Sequence, residues 1–172
     1  MRQLLLLIFF FTIFINTYAQ DATKVAISNT GCSVQVFCFP GRFDAYDLDG
    51  STVYADDCEK DGVTYGIYCV KLKEPVADLT AAEDTIISYL DFLKLDYDIV
   101  KSKGYDKGHK LNKDENTRGI KDTWEDADKN KWKVKAWTNG IFVCVLHVHS
   151  AKELPDKKTE IFLEGLRFPG MK

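Results

Sequence analysis

His147 and His149, two residues apart in a β-prone run, are the pair of titratable side chains most obviously spaced to act together. Period-two alternation turns both imidazoles to one face of a strand, which is the arrangement a two-histidine metal clip uses. A metal site needs a third ligand and commonly a fourth. His109 and several acids are available, yet no spacing selects them. The pair also reads as polar residues placed where a strand leaves the core. The sequence therefore specifies no cofactor, and His147 and His149 stand as its metal candidates.

Other constellations are weaker. Asp47-Leu48-Asp49-Gly50 looks like the middle of a calcium loop. Aligned with Gly50 at the sixth position, that loop would begin at Ala45 and end at Asp56, so its first carboxylate is missing. An Asp-rich turn accounts for it. There is no Gly-x-Ser-x-Gly elbow and no Gly-rich phosphate loop. No catalytic residue is assigned, and a non-catalytic binding or accessory role is expected. A small secreted hydrolase, built where His109, His147 or His149 meets an acid or thiol, is the alternative, together with a metal-binding protein that uses His147 and His149.

Cysteine chemistry depends on the compartment. Arg2 precedes an almost wholly apolar run, Leu4 to Ile15, and small residues follow at Thr17 and Ala19. This is the order of a cleavable secretory signal over residues 1–19, and the run is shorter than a bilayer span of about 20 residues. A secreted or periplasmic protein with no membrane span after cleavage is expected. In such a compartment disulfides persist, and five cysteines (Cys32, Cys38, Cys58, Cys69 and Cys144) leave at least one thiol. Pairing the first two strands as a hairpin, with Cys38 near Thr52, sets Cys32 opposite Cys58 and allows a bridge there. A slip of one residue abolishes it. Cys144, in step with Phe142, Leu146 and Val148, reads as a buried inert thiol.

The 172 residues are 45% hydrophobic and 28% charged, with a net charge of −3. One domain over residues 32–172 fits these values, preceded by an arm or short lead strand over 20–31. The charge disfavours a nucleic-acid surface. Lys101, Lys103, Lys107, Lys110 and Lys113 cluster, but Asp106, Asp114 and Glu115 dilute them into a solvated loop.

The elements follow from periodicity. Cys32 to Phe39, Thr52 to Cys58 and Val63 to Leu72 alternate as strands and read as a meander. Pro40 to Ser51 reads as a turn-bearing connection. Thr80 with Glu83 forms a capping-box signature for a helix from Ala81 to Leu93, whose Ala82, Ile86, Tyr89, Leu90 and Leu93 make one apolar stripe. Short strands follow over 97–103, 117–124, 131–138 and 141–149, and Asn139-Gly140 signals a hairpin with a type I′ turn. A last helix lies between Pro155 and Leu166. Trp132 and Trp137 differ by an odd number and so face opposite ways. If Trp137 shares a solvated face with Lys133 and Lys135, those three residues form the candidate contact for a protein partner.

The order of meander, helix, second antiparallel run and short helix is accompanied by Phe37-Cys38-Phe39-Pro40-Gly41 and Phe162-Leu163-Glu164-Gly165-Leu166-Arg167-Phe168. Together they resemble the PsbP-like fold. That resemblance implies an α+β domain, an antiparallel sheet of six to seven strands packed against two helices. It also implies a small accessory or binding protein with no shared catalytic set to carry over, and the leader places that role at the cell envelope or in the extracellular space.

Overall fold

An eight-stranded antiparallel sheet organises the chain, and different elements bury its two faces. The computed structural model describes residues 22–171, so the leader read over residues 1–19 lies outside the described residues. In chain order the strands are β1 (Thr23–Ala26), β2 (Ser33–Val36), β3 (Asp44–Leu48), β4 (Ser51–Lys60), β5 (Val63–Lys71), β6 (Ile99–Ser102), β7 (Asp106–His109), β8 (Arg118–Asp126), β9 (Lys131–Thr138) and β10 (Phe142–Ser150). The helices are α1 (Leu79–Asp96), between β5 and β6, and α2 (Asp156–Leu163), after β10. The large sheet runs β3-β4-β5-β10-β9-β8-β6, with β7 also on β8, and β1 pairs β2 in a sheet of its own. The class is α+β, as the periodicities predict.

The strands exceed six to seven because β3 and β7 are rich in Asp, Lys and Gly, residues that patterning assigns to turns. The meander also differs from expectation. β4 takes β3 as its neighbour, not β2, which pairs with β1 and stacks on the sheet. The Asn139-Gly140 turn does join β9 to β10, but only Gly140 is left-handed, so it is not type I′.

Asp78, not Thr80, caps α1, its Oδ1 accepting from the Thr80 amide at 2.8 Å. Ala82, Ile86, Leu90 and Leu93 then bury one stripe of the helix against Ile120, Val134 and Val145. Asp98, at φ 50°, ends the helical run and leaves Tyr97 over the sheet. The last turn of α1 is pinned by a polar cluster. Lys94 Nζ lies 3.3 Å from Asp122 Oδ2 and donates to the Tyr105 hydroxyl at 2.9 Å. Asp122 also accepts from Ser102 Oγ and Trp124 Nε1, so this buried carboxylate is held by donors from three elements.

The opposite face is closed by the β1–β2 hairpin, α2 and the chain's end. Val34, Val36, Tyr65, Leu146, Phe162 and Leu166 share that core. Ser33 and Arg167 exchange backbone hydrogen bonds at 2.9 and 2.7 Å, tying the hairpin to the C-terminal segment. Gly165 permits the approach, since a Cβ there would lie 2.9 Å from Gln35 Cβ. No helix among the described residues is long and apolar enough to cross a membrane.

Candidate functional site

The three histidines divide between the two ends of the sheet. His147 and His149 do share a face of β10, their rings 5.6 Å apart and nearly parallel. Trp132 on β9, opposite His149, stacks on it at 3.8 Å, and Tyr97 meets the His147 ring edge-on at 5.1 Å. His109 is far away at the β7 end, where Nε2 lies 2.9 Å from Asp106 Oδ2, a side chain open to solvent. It does not join the pair as a third ligand.

Register builds the surroundings of His147. Asp57 on β4, Gly66 on β5 and His147 on β10 lie directly across from one another in three adjacent strands. Gly66 lacks the side chain that would separate them, and a Cβ there would stand 2.0 Å from His147 Cε1. The imidazole lies over the glycine. β3 pairs with β4 only as far as Asp44 opposite Ala55, so from Asp56 onward β4 is itself the sheet edge. The helix α1 covers the other side of this face. What remains is a cavity of about 340 Å³ lined by Asp44, Tyr46, Ala55, Asp56, Asp57, Ile67, Tyr97 and His147.

Its electrostatics are one-sided. Burial holds the His147 imidazole down to about 3, with neighbouring His149 acting in the same direction, so it is neutral at ordinary pH. Its Nδ1 is buried without a hydrogen-bond partner, as is that of His149, whose own pKa burial also lowers. Burial raises the Asp56 carboxyl against the opposing hydrogen bond from the Asp57 amide, with smaller repulsion from the Asp57 and Asp44 charges. Tyr97 is pushed up to about 12, chiefly by burial and then by Asp96 and Asp57. Neither a serine, threonine or cysteine nor a lysine or arginine lines the space. A neutral acceptor at the base, tyrosine walls and repelling carboxylates suit binding better than acyl transfer.

Metal ligation is a separate question. Among the described residues, the one trio whose ligand atoms all lie within 4.8 Å of one another is Cys32, Cys69 and Cys144, all buried. Two of these are joined as a disulfide, Cys69–Cys144, between register partners on β5 and β10. Cys144 is thus bonded, where the sequence suggested an inert thiol. Burial pushes the remaining Cys32 thiol up to about 11, so it is not a thiolate near neutrality. The expected Cys32–Cys58 bridge is replaced by Cys38–Cys58, which clips the end of β2 to β4 across 20 residues of sequence. The reason is the topology described above, since β2 never pairs with β4.

The proposed contact at Trp137, Lys133 and Lys135 is also corrected. Trp137 is 1% exposed, and its indole donates to the Leu163 carbonyl at 3.0 Å. It fits into the space left by Gly119, whose Cβ would lie 2.2 Å from Trp137 Cζ3. Lys135 is buried and donates to Glu160 of α2 and to Glu164, which caps its C-terminus, at 2.8 and 2.5 Å, and Lys133 pairs with Asp156 at 2.7 Å. The two lysines hold α2 in place. Trp132 and Trp137 do face opposite ways, and both faces are covered. Asp47 accepts from the Gly50 amide at 3.1 Å in the β3–β4 turn, a backbone role.

Sequence reading missed Asp44, Tyr46, Asp56, Asp57, Gly66 and Tyr97. A signal existed for three of them. Adjacent aspartates inside one strand run and a glycine inside the next are poor strand residues, and they mark a place where something else comes close. No family model matches this chain, and no curated protein matches it.

Proposed function

We propose that this is an exported, non-catalytic binding or accessory protein that engages a protein partner through the cavity beside β3 and β4. The observation that carries this reading is His147: a neutral buried imidazole with an unpartnered nitrogen, at the base of a cavity open at a sheet edge. A buried polar atom left without a partner costs free energy, which a ligand donor can recover. Two disulfides support an oxidising destination, as does the leader-like order of residues 1–19. The PsbP-like resemblance of the element order points to the same class of role.

Affinity capture from envelope extracts and culture medium tests the reading, with wild type, Tyr97→Ala and, as a control on the opposite face, Lys133→Ala. A partner recovered by wild type and Lys133→Ala but depleted with Tyr97→Ala is the expected result. Equal recovery by all three removes the cavity from the function. Mass spectrometry of the same exported material should show a chain that begins at Gln20 and carries two bridges.

A further inference from the structure

The chemistry of the cavity narrows what the partner presents. Asp44, opposite Ala55, and Asp57, opposite Gly66, set two carboxylates on the His147 side of the sheet, and among the described residues neither is ion-paired; Asp56 borders the same opening from the other face of β4. Edge-strand acids alone are a common device against sheet-to-sheet aggregation. Here a second feature stands beside them: the imidazole of His147, 2% exposed, lines the same cavity, and its buried Nδ1 has no partner. The acceptors are also spread out. No three of the side chains of Asp44, Asp56, Asp57 and His147 bring ligand atoms within 4.8 Å of one another, so a bare metal ion cannot touch three at once. A polyatomic cation with several N–H groups can.

The walls choose between such cations. Tyr46 and Tyr97 offer flat aromatic surfaces, and a planar, weakly hydrated guanidinium stacks on these while its five donors reach separated acceptors. A lysine ammonium is a compact, strongly hydrated point charge that meets neither condition as well. Resting on the binding function proposed above, we infer that the cavity takes the guanidinium of an arginine side chain carried by the protein partner. Asp44 and Tyr46 lie on the edge strand and Asp57 is exposed, so the side chain enters laterally from the sheet edge.

The test is an NMR titration of the ¹⁵N-labelled exported chain, disulfides intact, with acetyl-Gly-Arg-Gly-amide and its citrulline counterpart, which keeps the shape and loses the charge. The arginine peptide shifts the amide signals of Asp57, Gly66, Tyr97 and His147 saturably. The citrulline peptide binds about tenfold more weakly or worse, as the loss of a charge-assisted hydrogen bond requires. The double variant Asp44→Asn, Asp57→Asn loses the preference while keeping wild-type chemical shifts on the α2 face. Equal affinity for the two peptides overturns the inference, and so does an arginine peptide that leaves those four signals unmoved. In either case, a partner whose capture still depends on Tyr97 leaves the binding function standing with a different ligand group. Capture independent of Tyr97 removes both.

Discussion

The two faces of the sheet use the same device with opposite outcomes. On the α2 face Gly119 makes room for Trp137; on the α1 face Gly66 makes room for His147. Trp137 is then closed in by α2, and its one polar atom is satisfied by Leu163. His147 is buried as deeply, yet α1 ends before reaching it, the residue borders a cavity, and its Nδ1 is left unpartnered. A glycine facing an aromatic ring is therefore closed packing where a helix follows over it, and the border of an open cavity where none does.

Truncating the two rings should separate these roles most strongly. Trp137→Ala removes a fully enclosed ring and should lower stability by about 3–5 kcal/mol in urea unfolding. His147→Ala removes a smaller ring that borders a cavity and carries an unsatisfied nitrogen, so the loss should be about 1–2 kcal/mol. Comparable losses would mean that the α1 face is as closed as the other.

Adding a methyl group at each glycine is a finer probe. In Gly119→Ala the new carbon meets Trp137, which has nowhere to go, and overpacking should cost about 2–3 kcal/mol. In Gly66→Ala the imidazole can swing into the cavity, so the cost should be about 1 kcal/mol, accompanied by loss of partner capture. Thermal unfolding of the two variants side by side gives the comparison.

A third probe is pH dependence. His147 has a depressed pKa in the fold, so below its ordinary value of 6.5 the unfolded chain binds a proton that the folded chain refuses. Stability is therefore complete above about pH 6.5 and declines on acidification towards about pH 3, by up to about 1.4 kcal/mol per pH unit. His147→Gln should flatten that part of the profile between pH 7 and 5. Asp126 and Asp156, whose pKa values are lowered, add an acid-side loss in both proteins, and it cancels in the difference.

Much of the fold could be read from the sequence because burial imposes periodicity. The stripe Ala82, Ile86, Leu90, Leu93 gave α1, and the alternation around Asn139-Gly140 gave β9 and β10. Face assignment was harder. Lys133 and Lys135 alternate with Trp132 and Val134 as surface residues would, and only Glu160 and Glu164, more than 20 residues on, show that this side is covered. β3 escaped because Asp-Ala-Tyr-Asp-Leu carries edge-protecting acids in place of β-prone residues. The shared face of His147 and His149 was legible from spacing alone. Their neighbours Asp57 and Gly66 were not, because cross-strand register is a property of the folded sheet.

Residue-resolved ¹⁵N NMR of the His147 imidazole tests the central claim most directly. The account predicts a ring that stays neutral, in a single tautomer, as pH falls from 7 to 4, with no titration step near 6.5. A midpoint near 6.5, with both ring nitrogens protonated below it, would show a solvated histidine and contradict the site built on it.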